Sequence, residues 1–186
     1  MPVQAQGSAR QQALIGLLLA LLNGLATAAE RIVTVAPNLT EPVCAVGACD
    51  KLVGVDKHSD YPDAVQKIPR IGDAFAINIE AVVALKPDLV LAWESGTDPQ
   101  RLRRLQQLGL KVEWVRARSL DEISAALLQV GALIGPAAQK AAQIAARRYT
   151  ERLQQLRQRP QDSHRLSVLY QADTNPLYSV NSDSPI

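Results

Sequence analysis

Short runs of β-branched and apolar residues recur along this chain, each separated from the next by a stretch of helical character. The runs are Arg31–Val35 (RIVTV), Leu52–Val55 (LVGV), Asp88–Trp93 (DLVLAW) and Val112–Val115 (VEWV). Strands that alternate with helices are joined by crossovers, and crossovers keep strands parallel, so the pattern predicts an α/β fold with a mainly parallel sheet. The spacing predicts helices over Thr40–Val46 and Ile79–Leu85, the second halted by Pro87, whose ring disfavours helix at Lys86. Pro99–Leu108 reads as a third helix, with Leu102, Leu105 and Leu108 on a buried stripe and Arg101, Arg103 and Arg104 on the wet face. Ser119 and Glu122 form a capping-box pattern that opens the next helix, which ends at Gly135-Pro136. Pro136 then suits the first position of a long helix, since Ala137–Gln158 contains neither Gly nor Pro. At 1.5 Å rise per residue that helix is about 33 Å long, enough to connect two lobes. Its apolar residues do not keep a strict heptad, which argues against a coiled coil. After a break at Pro160-Gln161-Asp162, Arg165–Gln171 reads as a strand and 172–186 as turn-rich.

Arg10 precedes an apolar run from Ala13 to Leu22, and small residues follow through Ala29. That order reads as a secretory signal peptide over 1–28, because ten apolar residues fall short of the ~20 that span a bilayer. The expected location is an oxidising space, the periplasm of a bacterium, where Cys44 and Cys49 form a disulfide or remain as two small buried thiols. Twenty basic against 18 acidic residues leave a net charge of +2, too weak a field for a nucleic-acid partner. GxxxxGK[ST] and GxGxxG are absent, so neither phosphate-loop nor dinucleotide chemistry is indicated. His58-Ser59-Asp60 holds triad residue types, yet consecutive side chains do not converge as nucleophile, base and orienter. The spacing Cys-x4-Cys-x8-His fits no standard zinc pattern, so no metal site is expected. No catalytic residue and no enzyme activity are expected.

Four segments, RIVTVAPNLTE, LVGVDKHSDYP, KIPRIGDAFAINIEAVVALKPDLVLAW and VLYQADTNPLYSVN, occur in that order. Together they resemble the iron-siderophore and cobalamin class of periplasmic substrate-binding proteins of ABC importers. The resemblance spans about Arg31 to Ile186. It implies two Rossmann-like lobes joined by one long backbone helix, with the ligand held between them. The expected layout is an N-terminal α/β lobe over 31–135, the connecting helix over 136–159, and over 163–186 only the beginning of a second, truncated lobe. The implied ligand is cobalamin, with haem or a ferric siderophore as the alternative. The implied partner is an inner-membrane permease with its ATPase, and the implied state is a monomer.

Ligands of open α/β sheets lie outside the carboxyl ends of the strands, which singles out the loops around Asn38 and Leu39, around His58, and after Trp93. The resemblance places cleft aromatics at Trp93, at positions 58 and 74, here His58 and Ala74, and at Tyr178 in the opposite lobe. Phe75, one residue past Ala74, is the only Phe and suits a flat macrocycle, with a core ring as the alternative. The resemblance also makes Glu80 the surface carboxylate that docks on permease arginines; a helix macrodipole accounts equally for an acidic residue there.

Overall fold

The structure, a computed structural model, describes residues 28–73, 76–159, 171–174 and 177–179. Strands β1 (Ile32–Thr34), β2 (Leu52–Val55), β3 (Leu89–Trp93) and β4 (Val112–Val115) form one sheet in the order β2-β1-β3-β4. Every neighbouring pair is parallel, so the α/β expectation is met. Both faces of the sheet are covered, which is why β3 is a continuous apolar run, LVLAW, buried at all five positions. Leu89, Leu91 and Trp93 enter one layer and Val90 and Ala92 the other.

The first layer is made by α1 (Pro37–Ala45), α4 (Ile123–Ile134) and α5 (Pro136–Arg157), through Leu39, Val43, Leu127, Val130, Ala138, Ala142 and Ala146. The second is made by α2 (Ile79–Ala84) and α3 (Pro99–Gln107), through Val82, Leu102 and Leu105. Helix α1 starts three residues before its expected position because Pro37 occupies the first turn, where its missing N–H costs nothing. The Asn78 side chain caps α2 by accepting from the Ala81 amide at 2.9 Å. Lys86 then turns left-handed at φ 46°, ahead of Pro87, and ends the helix. The Arg31 guanidinium donates to the freed carbonyl of Leu85 at 2.6 Å, while the Asp88 carboxylate accepts from the Glu30 and Arg31 amides. Leu108, expected on the buried stripe, closes α3 and is 46% exposed.

The capping box at Ser119 is not formed. Leu120–Glu122 is a single 3₁₀ turn in which the Glu122 amide donates to the Ser119 carbonyl, so it is not left for the hydroxyl. Glu122 instead accepts from the Arg118 amide at 2.9 Å. Gly135, at φ 138°, breaks the chain between α4 and α5, and the 22 residues of α5 then run uninterrupted. The two helices approach closely at Gly131, where an added Cβ would lie 2.8 Å from the Ala138 carbonyl oxygen. Cys44 and Cys49 are joined by a disulfide that ties the end of α1 to the 3₁₀ turn Cys49–Lys51 before β2.

Strand β4 is the outer strand on its side of the sheet. The carbonyls of Lys111 and Val115 accept from β3 and its following residue, so the carbonyl of Trp114, out of phase with them, faces outward. It accepts from Gln129 Nε2 of α4 at 2.7 Å. In the region expected to be turn-rich, β5 (Gln171–Thr174) and β6 (Leu177–Ser179) pair as an antiparallel hairpin. The signal-peptide reading over 1–28 falls almost wholly outside the described residues, as do Ala74, Phe75 and residues 165–170 of the predicted strand. Among the described residues no helix is long and apolar enough to cross a membrane.

Candidate ligand-binding site

All four strands of the main sheet end on the same side, and β1 is flanked by β2 on one side and β3 on the other. The chain reverses its direction of winding there, so the loops after β1 and β3 diverge and leave a crevice. Residues 35–38, 56–61, 94–98 and 116–119 make this edge. Asn38 is exposed in the first turn of α1, whose N-cap, Ala36, offers no side-chain acceptor. Leu39 is fully buried, so its side chain belongs to the core. Trp93 ends β3 at 8% exposure, within the layer that includes α1. Glu80 is exposed in the first turn of α2. Tyr178 lies in β6, in register with Asp173 of β5. The structure therefore brings Asn38, His58 and Trp93 to loops on one edge.

The turn that carries His58 is held from several directions. A chain of buried hydroxyls runs from Thr34 of β1 to Thr40 of α1 at 2.7 Å, and from Thr40 to Ser59 at 2.9 Å. Ser59 is 2% exposed while His58 beside it is open to solvent. Asp56, 1% exposed, accepts from the His58 amide at 2.8 Å. Arg70 Nη1 donates to the Ser59 carbonyl at 2.6 Å and to the Asp56 carbonyl at 3.4 Å. Lys57 pairs with Asp73 at 2.5 Å, a contact that raises the lysine pKa. Burial pushes the Asp56 carboxyl above the ordinary carboxylate range, against the His58 amide and nearby positive charge, which favour ionisation. None of these partners is visible from spacing alone, since Arg70 returns to the turn 14 residues after Asp56.

On the β4 side of the crevice, Arg118 Nη2 meets Glu94 Oε2 at 3.3 Å and ties the loop after β4 to the loop after β3. The buried Thr97 hydroxyl in that loop has no partner among the described residues. A pocket of about 290 Å³ opens beside Arg116, Arg118, Glu122 and Gln129. A larger apolar groove of about 530 Å³ lies on the flank, between α1, α4, α5 and the exposed Tyr61. Among the described residues no three His, Cys, Asp or Glu side chains converge on a point that could hold a metal ion.

A lobe that gathers loops at the carboxyl edge of a parallel sheet has the layout of a small-molecule binding protein. The chain belongs to the periplasmic binding protein family, whose profile matches residues 32–185. The vitamin B12-binding protein of Vibrio cholerae is 37% identical over 153 residues, which are 82% of this chain and 54% of that protein. The one from Yersinia pseudotuberculosis is 35% identical over 168 residues, 90% of this chain and 59% of that protein. In crystal structures, the periplasmic vitamin B12 binding protein BtuF of Vibrio cholerae superposes with a TM-score of 0.71 at 36% identity, over 81% of this chain and 58% of that one. A periplasmic heme binding protein from Pseudomonas aeruginosa gives 0.63 at 32% identity, over 68% and 45%. The chain thus spans about half the length of the curated relatives it matches. This is a family of carriers, and it is not enzymatic.

Proposed function

We propose that this protein captures a cobalamin-type corrinoid at the carboxyl edge of its sheet and delivers it to an ABC permease in the inner membrane. The observation that carries the reading is the likeness to vitamin B12-binding proteins over most of the chain, at 37% identity and with a TM-score of 0.71. The binding surface is assigned to Asn38, Leu39 through its backbone, His58, Phe75 and Trp93, with Tyr178 facing them from a second lobe over a cleft. Glu80, exposed in the first turn of α2, is assigned to the permease contact. Secretion by the segment 1–28 and a monomeric carrier complete the proposal.

Haem is the second reading, favoured by the exposed imidazole of His58 where a corrinoid carrier would present an aromatic ring, and by the heme-binding structural neighbour. The test is calorimetric titration of cyanocobalamin and of hemin into the purified protein, beside a form extended by a second lobe to the length of its relatives. A half-cleft covers only part of a ligand, so saturable one-to-one binding is expected of the extended form and weak binding of the 186-residue chain. Saturation by hemin alone would move the assignment to haem, and saturation by neither would sink it.

A further inference from the structure

We propose that Asp56 is the positioning residue of the ligand-facing turn: its buried carboxylate clamps the His58 backbone amide and thereby fixes where the His58 imidazole is presented at the mouth of the crevice. This rests on the reading of the carboxyl edge as the ligand site. Asp56 stands at the point where β2 gives way to the turn, and its 1% exposure places a carboxylate where an apolar residue would ordinarily continue the strand's packing. A group so placed is costly unless it is bonded, and the bond it makes is to the amide of the exposed histidine two residues on, at 2.8 Å. The rest of the turn is fixed independently. Ser59 is held through its hydroxyl by Thr40 and through its carbonyl by Arg70, and the Lys57 amide donates to the Gly72 carbonyl at 2.7 Å. His58 is the position between these anchors, and its main chain is set by Asp56. The charged and titratable groups around the carboxylate are His58, Lys57, Asp73 and Arg70. Burial raises the Asp56 pKa, so the fold carries a cost for this carboxylate that an apolar residue would avoid.

The experiment uses Asp56→Ala and Asp56→Asn in the form of the protein that binds ligand, with amide hydrogen exchange of His58 and the affinity for cyanocobalamin or hemin as paired readouts. In the wild type the His58 amide, though on an exposed residue, is expected to exchange slowly; exchange at the rate of a free amide overturns the proposal without any variant. Asp56→Ala is expected to lose that protection and to weaken binding about tenfold. Asp56→Asn, which keeps an acceptor at the same place, restores both. An Asp56→Ala protein that binds as tightly as wild type overturns the role. So does a pair of variants equally weakened while the His58 amide stays protected. If the wild type binds neither ligand, the functional reading fails instead, and the exchange data still decide whether the clamp exists.

Discussion

Arg157 grips Asp121 with two parallel bonds, Nη1 to Oδ1 at 2.7 Å and Nη2 to Oδ2 at 2.9 Å, across 36 residues of sequence. The last turn of α5 is thereby moored to the 3₁₀ turn that precedes α4. The guanidinium holds the Asp121 carboxyl below the ordinary carboxylate range. A carboxyl whose pKa is lowered by folding contributes stability above its unfolded pKa and loses it as pH falls through the folded value. Arg157→Ala is therefore expected to speed amide exchange in the last turn of α5 at pH 7, with the difference from wild type vanishing in acid below the usual carboxylate range. Both groups face solvent, so the global melting point moves little. A difference that persists undiminished in acid would contradict this account.

Thr40 is the middle member of the hydroxyl chain from Thr34 to Ser59. Thr40→Val keeps the shape and removes the bonds, leaving two buried hydroxyls without their common partner. The expected loss is about 1–3 kcal/mol in chemical denaturation. Stability equal to wild type would show that the neighbours find other partners.

Gly131 sits where α4 and α5 touch, and a methyl group there meets the Ala142 Cβ and the backbone of Ala138 and Gln139, none of which is the movable tip of a long side chain. Gly131→Ala would improve helix propensity on an isolated helix, but here overpacking wins, and a net destabilisation of about 1–3 kcal/mol is expected. A more stable variant would mean that the two helices slide apart freely.

The disulfide between Cys44 and Cys49 closes a loop with a sequence separation of only 5. Loop-closure entropy then gives the bridge about 2 kcal/mol. Reduction, or Cys44→Ser with Cys49→Ser, is expected to lower the denaturation midpoint by a corresponding amount while leaving the far-ultraviolet circular dichroism native. A drop of several times that size would mean that the bridge organises more than its own turn.

His58 is exposed, and its imidazole acts on the neighbouring Asp56 carboxylate through charge, with no hydrogen bond among the described residues. His58→Ala should therefore leave stability within about 0.5 kcal/mol, as surface changes do. On the proposed function it weakens ligand binding about tenfold. Unaltered titration curves for both cyanocobalamin and hemin would remove His58 from the site.

Local chemistry made much of the fold readable. β2 and β4 fall on Leu52–Val55 and Val112–Val115 because turns and helices bound those apolar runs tightly. The long helix was visible because nothing between Ala137 and Gln158 interrupts it. The start of α1 at Pro37 rather than the expected Thr40 has a physical reason: proline breaks a helix interior but begins one well, and only the strand before it tells which applies. The Ser119 pattern failed because a 3₁₀ turn there takes up the Glu122 amide that the cap would have used. At the candidate site, position in a loop after a strand pointed to Asn38 and His58, and the structure has both exposed at the carboxyl edge. Position alone could not separate them from Leu39, whose side chain the helix turns inward. The hold on His58 was illegible, because Thr34, Thr40 and Arg70 reach the turn only after the sheet order has brought them together.

The bond from Gln129 to the outward carbonyl of Trp114 bears on how this molecule meets others of its kind. An outer strand with free backbone groups is a template onto which a foreign strand can zip. Here a side-chain amide from the molecule's own α4 occupies that docking point. An incoming strand would first have to displace Gln129, so one side chain of the molecule's own helix narrows the open flank of the sheet at that point.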